Sequence, residues 1–149
     1  MEFPKKYQKM GAYAGPYYTL EPLFQNPTID APLRVTELIA SLSRKSFRRT
    51  EVFRAIVSTV PFDSRPVKKL DVVCKVGWAL EAAENVKREA QIYQSKLSEL
   101  QGKVVPWVHG CYVAFSEVGD IAVLVMAYCG REIPRSLPYM PRGFRYGPA

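Results

Sequence analysis

The stretch LDVVCKVGWALEAAENVKREAQIY, residues 70–93, contains the two features on which the fold prediction depends. Its first part is rich in valine and places Lys75 within an apolar run, which is typical of a strand. From Ala79 to about Gln101 the pattern changes, because apolar residues recur every three or four positions, as on one side of an amphipathic helix. These apolar residues are Val86, Ala90, Tyr93, Leu97 and Leu100. A strand followed by a long helix is therefore predicted.

Lys75 and Glu89 are the two charges of this stretch that point toward the apolar interface. At 100° per residue, Glu89 lies about 60° from Val86, on the flank of the apolar stripe of the helix. Residues alternate between the two faces of a strand, so Val73 and Lys75 share one face. An unpaired buried charge costs far more than a paired one, so the two side chains are expected to form an ion pair. The alternative is that each reaches water separately.

The other predicted elements lie on both sides of this stretch. A strand is predicted from Glu51 to Val60, and another over KKLDVVCKV, residues 68–76. CYVAFSEVGDIAVLVMAYCG, residues 111–130, predicts a β-hairpin, because two apolar runs flank the turn residues EVGD. A short helix is predicted over IDAPLRVTELIASLS, residues 29–43, from a capping aspartate and helical apolar spacing.

The composition divides the chain into three parts. Residues 1–32 combine proline and glycine with aromatic residues and predict an N-terminal arm that packs on the domain, or alternatively a mobile tail. Residues 33–130 form the predicted domain, and residues 131–149 form a proline- and arginine-rich tail. The predicted fold class is α+β, an antiparallel sheet of about five strands with one long helix on a face, preceded by the aromatic arm and a short helix.

Composition also limits the classes of function. The net charge of +7 favours anionic partners. The three cysteines form no CxxC pair, and His109 is the single histidine, so neither a zinc site nor a His-based catalytic triad is expected. No apolar run approaches the roughly 20 residues of a membrane span. The chain is expected to be intracellular, in the cytoplasm or nucleus, with no membrane partner.

The order of a strand with Lys75, a helix with Glu89 and a hairpin ending in LVMAYCG resembles the small lobe of eukaryotic protein kinases. Together with LQGKVVPWVHGCY it looks most like the divergent kinase-like proteins of fungi. The resemblance covers about residues 50–130. It implies ATP as the ligand, with Lys75 at the phosphates, Glu89 as the helix partner of that lysine and Met126 at the gatekeeper position. It also implies that the adenine meets backbone groups of Ala127, Tyr128 and Cys129.

Two departures from the kinase pattern change the expected function. The segment SLSRKSFRRTEVFRAIV, residues 41–57, contains no glycine, although a kinase places a glycine-rich loop there to bring backbone amides to the phosphates. The 19 residues after Gly130 contain no Asp, Asn or His, whereas phosphoryl transfer needs a catalytic aspartate and metal-binding Asp and Asn residues. No catalytic residue, metal or cofactor is therefore expected, and ATP binding is in doubt.

The expected function is that of a truncated, non-catalytic kinase-like small lobe, a pseudokinase that acts as a binding or regulatory module. Its partner would be a kinase, a kinase substrate or a second copy of the chain. One alternative is an N-terminal fragment of an active ATP-dependent protein kinase. A further alternative is a basic nucleic-acid-binding protein, because arginines and lysines cluster around Arg48 and in the tail.

Overall fold

The computed structural model describes residues 1–5, 17–42, 49–61, 64–116 and 119–130. Within these ranges the chain forms eight strands and one α-helix, α1. The elements in chain order are β1 (Glu2–Pro4), β2 (Tyr17–Thr19), β3 (Glu21–Gln25), β4 (Leu33–Ser41), β5 (Thr50–Thr59), β6 (Lys69–Trp78), α1 (Leu80–Gln94), a 3₁₀ turn (Ser98–Leu100), β7 (Val108–Ser116) and β8 (Gly119–Ala127). All eight strands belong to one mixed sheet of order β2-β1-β4-β5-β6-β8-β7-β3, in which only β1 and β4 pair in parallel.

The sheet curls into a nearly closed barrel, because its two end strands are neighbours in the chain. Only Leu20 separates β2, which pairs with β1, from β3, which pairs with β7. The backbone of Leu20 also exchanges two hydrogen bonds with Met1, of 2.7 and 2.6 Å. The segment from β2 to β3 therefore connects the two ends of the sheet.

The inner face of the sheet holds the larger apolar core. Alternate residues of the long strands point inward, as the period of two requires. The buried residues of this core include Phe3, Leu20, Leu33, Val35, Phe53, Val57, Val72, Cys74, Val76, Tyr112, Ile121, Val123 and Val125. The N-terminal strands contribute to the same core as the central ones, so they are part of the barrel.

A second core lies between α1 and the outer face of β6, β7 and β8. The helix buries Ala83, Val86 and Ala90 against alternate sheet residues that include Cys111, Ala122, Leu124 and Met126. Gly77 allows the start of the helix to approach β6 closely, because a Cβ at this position would lie 2.4 Å from the carbonyl oxygen of Ala82. The small residues of this face thus set how closely the helix packs on the sheet.

The predicted fold class was wrong. The described chain is mostly β, with an eight-stranded mixed sheet where an antiparallel sheet of about five strands under a long helix was predicted. The short helix predicted over residues 29–43 is the strand β4, whose alternate residues Leu33 and Val35 are buried inside the barrel. The segment predicted as an arm contributes β1, β2 and β3. Two of these strands pair with strands outside the segment, β1 with β4 and β3 with β7.

The central elements lie close to where the sequence predicts them. β5 and β6 cover the two predicted strands, and β7 and β8 form the predicted hairpin. The helix is shorter than predicted, since α1 ends at Gln94 and the chain turns before β7. In the part of the chain that the structure describes, no helix is long and apolar enough to cross a membrane. The tail predicted at 131–149 lies outside the described residues.

Candidate functional site

Lys75 and Glu89 meet between β6 and α1. Lys75 lies on the outer face of β6 between Val52 of β5 and Leu124 of β8, its partners in the two ladders. Its Nζ lies 2.5 Å from Glu89 Oε2, and the two side chains are 30% and 32% exposed. The predicted ion pair is thereby confirmed, and it lies at the solvent edge of the second core.

Burial raises the pKa of Tyr93, which lies near this pair, and of two buried cysteines, of which Cys74 points into the barrel interior and away from the pair. Burial, together with the charge of Glu89, raises the pKa of Tyr93 one turn further along α1. Burial raises the pKa of Cys111 to about 11 and that of Cys74 to about 12. Because the thiolate is the reactive form of cysteine, neither buried thiol is a nucleophile at neutral pH.

Met126 lies on the same face of the sheet as Lys75. It pairs with Val73 of β6 and is buried in the second core under α1. The structure therefore brings Lys75, Glu89 and Met126 to one side of the sheet. The Met126 side chain packs between α1 and the sheet.

Of the three residues whose backbone groups were predicted to meet an adenine, two have N–H groups that already form hydrogen bonds. The Ala127 N–H donates to the Trp107 carbonyl at 2.8 Å, and the Tyr128 N–H donates to the Asp71 carbonyl at 3.2 Å. The exposed Cys129 directs its thiol toward the Ala127 carbonyl at 3.6 Å. These contacts hold the segment after β8 against β6 and β7.

A cluster of Arg54, Asp71 and Tyr128 covers the sheet beside this segment. The Arg54 guanidinium donates to both Asp71 carboxylate oxygens, from Nε at 3.1 Å and from Nη2 at 2.7 Å. Its Cζ lies 4.0 Å from the centre of the Tyr128 ring, a cation–π stack. The hydrogen bonds from Arg54 lower the pKa of Asp71. This cluster could not be predicted from the sequence, because its members come from three separate segments and share no motif.

The cluster occupies the row of the sheet next to Lys75. Arg54, Val73 and Met126 oppose one another across β5, β6 and β8. Lys75 lies two residues further along β6, on the same face. The Asp71 carboxylate and the Tyr128 ring therefore both have the Arg54 guanidinium of the same chain as their partner.

A second feature lies at the end of the sheet where β8 leaves it. The turn of residues 97–107, here called the α1–β7 turn, exposes three apolar side chains. Val104 is 77% exposed, Trp107 53% and Leu100 40%. The helix predicted to about Gln101, with Gly102 after its end, placed Leu100 on the apolar stripe. Pro106 was a further signal for a turn in this segment, because proline interrupts regular structure.

Chemistry that depends on a metal has no support from side-chain clustering. Within the described ranges, no group of three or more His, Cys, Asp and Glu side chains is placed to hold a metal ion. The function must therefore be inferred from the geometry of the ion pair and of the two surfaces beside it. Comparisons of the chain with protein-family models, with curated proteins and with solved structures found no match.

Proposed function

We propose that the chain is a non-catalytic module related to the small lobe of protein kinases, and that it works by binding another protein. The Lys75–Glu89 pair is the observation that carries the proposal. A strand lysine held by a helix glutamate is the arrangement that kinases require for phosphoryl transfer. Lys75 and Glu89 make the same kind of contact at 2.5 Å in this chain. The pair therefore fixes the helix on the sheet without a nucleotide.

The surroundings of the pair support binding without ATP. Tyr128 is stacked on Arg54 beside Lys75, and the N–H groups of Ala127 and Tyr128 donate to backbone carbonyls. Residues 41–57 contain no glycine to bring backbone amides close to phosphates. A nucleotide would have to break several of these contacts and would gain no backbone cradle in return.

Protein is favoured over nucleic acid as the partner, because several of the described basic side chains are already paired. The basic residues within 44–48 and those of the tail, on which the nucleic-acid alternative rests, lie outside the described residues. Nucleic acid affinity depends mainly on Lys and Arg that neutralise phosphates. The described basic residues that form ion pairs include Arg34 with Glu2, Arg54 with Asp71, Arg65 with Asp30, Lys75 with Glu89, and Lys87 with Glu84. A phosphate backbone would compete with these carboxylates. The free cysteines, two of them buried, fit a reducing compartment, so the proposed site of action is the cytoplasm or nucleus.

Thermal unfolding in the presence of ATP, with and without Mg²⁺, tests the proposal. A ligand at a hundred times its dissociation constant stabilises the folded state by about 2.7 kcal/mol, which raises the Tm of a domain of this size by roughly 5–10 °C. We expect no such shift for the wild type. The matched variants are Lys75→Ala and Lys87→Ala, since Lys87 is also paired with a glutamate, at 2.6 Å, but within α1.

A magnesium-dependent shift that Lys75→Ala abolishes and Lys87→Ala leaves intact would overturn the non-catalytic proposal. It would favour the alternative that the chain is part of an active ATP-dependent kinase. The absence of a shift in all three proteins supports a module that does not use the nucleotide.

A further inference from the structure

We infer that the α1–β7 turn is a docking surface for a protein segment that presents an apolar side chain flanked by carboxylates. The inference rests on the proposed function and names the surface and the partner chemistry. Val104, Trp107 and Leu100 expose large apolar areas within one short turn, at 77%, 53% and 40%. Exposed apolar groups that lie together mark interaction sites, and tryptophan is among the residues most enriched at binding hot spots.

The turn is held rigidly by polar contacts at both ends. Gln101 donates from Nε2 to the Tyr93 carbonyl at 3.0 Å and accepts from the Val108 N–H at 2.9 Å, which connects the end of α1 to the start of β7. Gly102 has a φ of 76°, and the Trp107 indole packs directly on its backbone, where a Cβ would lie 2.1 Å from Nε1. A surface that is already ordered loses little conformational entropy when it binds. These contacts therefore favour a docking role for the exposed side chains.

The charges around the turn select the partner. Lys96 and Lys103 are exposed within or beside the turn, against one exposed glutamate, Glu99. Lys69 begins β6 at the same end of the sheet, because Val72 of β6 pairs with the last residue of β8. Exposed lysines in the same turn as exposed apolar side chains complement a segment with apolar and acidic residues, and complementary charge also speeds association.

Two other occupants fit the surface less well. A second copy of the chain would bring the same lysines face to face in a two-fold contact, and each copy carries a formal charge of +7. Nucleic acid would satisfy the lysines but would leave Val104 and Leu100 without an apolar partner. Both occupants are outcomes of the experiment below.

The experiment uses a displayed library of short random peptides selected on the full chain. We expect the selected peptides to combine leucine or aromatic residues with Asp or Glu. Binding of a labelled selected peptide, measured by fluorescence anisotropy, should weaken by at least about tenfold in Val104→Asp and in Trp107→Ala. Phe115→Ser is the matched control, since Phe115 is 84% exposed at the opposite end of β7. That variant should bind like the wild type.

A charge exchange tests the acidic part of the partner separately. Lys103→Glu should weaken the acidic peptide and should bind better a version of the peptide in which lysine replaces its acidic residues. Equal binding by wild type and Val104→Asp, or selection of basic peptides, would overturn the inference. A dimer seen by light scattering and abolished by Val104→Asp would also overturn the inference. The same holds for salt-sensitive binding of an RNA or DNA oligomer that Val104→Asp abolishes. Failure of these peptide tests leaves the ATP test above unaffected, so the two proposals fail separately.

Discussion

Lys75→Met and Glu89→Gln, made singly and together, measure the contribution of the ion pair between β6 and α1 to stability. Methionine keeps the apolar stem that lies between Val52 and Leu124, and glutamine keeps the shape of the carboxylate side chain. Each single variant leaves one charge without its partner, whereas the double variant removes both. The difference from additivity is the coupling free energy of the pair.

The expected coupling is about 1 kcal/mol. Two unit charges 2.5 Å apart attract by about 1.7 kcal/mol in water, and by more in a less polar environment. The two side chains are only 30% and 32% exposed, so part of their hydration is lost and offsets this gain. The coupling should therefore reach the upper end of the range for exposed ion pairs, without approaching that of a fully buried pair.

Urea denaturation of the four proteins at neutral pH gives the coupling, provided that the m values agree. In about 1 M salt the coupling should decrease, because exposed charges are screened. A coupling within about 0.3 kcal/mol of zero would be indistinguishable from additivity and would refute a structural role for the pair. A double variant more stable than the wild type would show that the pair costs stability and is retained for another reason.

Three further substitutions test the packing of the helix and the neighbouring cluster. Gly77→Ala should lower the free energy of unfolding by about 2–3 kcal/mol in urea denaturation, because the new Cβ would lie 2.4 Å from the backbone oxygen of Ala82. Unchanged stability would mean that α1 shifts freely on the sheet. Ala79→Gly should raise the free energy of unfolding by about 0.5–1 kcal/mol in the same assay. Ala79 has a φ of 69°, which glycine adopts without strain. A lower free energy of unfolding in this variant would contradict the reasoning. The pKa of Asp71 is lowered by its hydrogen bonds from Arg54, so their stabilisation is present above the unfolded-state pKa of about 3.9 and is lost as pH falls through the lower folded-state pKa. Wild type and Arg54→Gln should therefore differ in stability near pH 7 and converge near pH 2, and a constant difference would count against the pair.

The sequence predicted the central strands because their local pattern and their packing agree. It failed for β4, where a capping aspartate and the spacing of Val35, Leu38 and Ile39 indicated a helix. In the structure Val35 faces the barrel interior, whereas Leu38 and Ile39 are exposed, so the helical spacing does not describe a buried face. Antiparallel pairing with β5, the next strand in the chain, overrides the local helical spacing. The closure by β1, β2 and β3 was not predictable either, since β1 and β2 have three residues each and β3 only five, too few for a readable period.

One contact of the candidate site was predictable from local sequence patterns, and another was not. The contact between Lys75 and Glu89 followed from two local periods, the alternation of a strand and the 100° step of a helix. The stack of Tyr128 on Arg54 depends on which strands are neighbours, and no local pattern contains that information. The exposed side chains of the α1–β7 turn were predicted to be buried on a helix, because the helical spacing of apolar residues continues to Leu97 and Leu100. The helix itself ends at Gln94.

The helix connects the ion pair to the proposed docking surface, which gives the pair a role that needs no nucleotide. Glu89 holds the C-terminal half of α1 on β6 through Lys75. The last turn of the same half contains Tyr93, whose carbonyl accepts the Gln101 hydrogen bond that anchors the α1–β7 turn. If the helix moved on the sheet, the turn and its exposed side chains would move with it. On the proposed function, a lysine and a glutamate arranged as in a kinase therefore act by placing a binding surface, and their value to the protein lies in the position of α1.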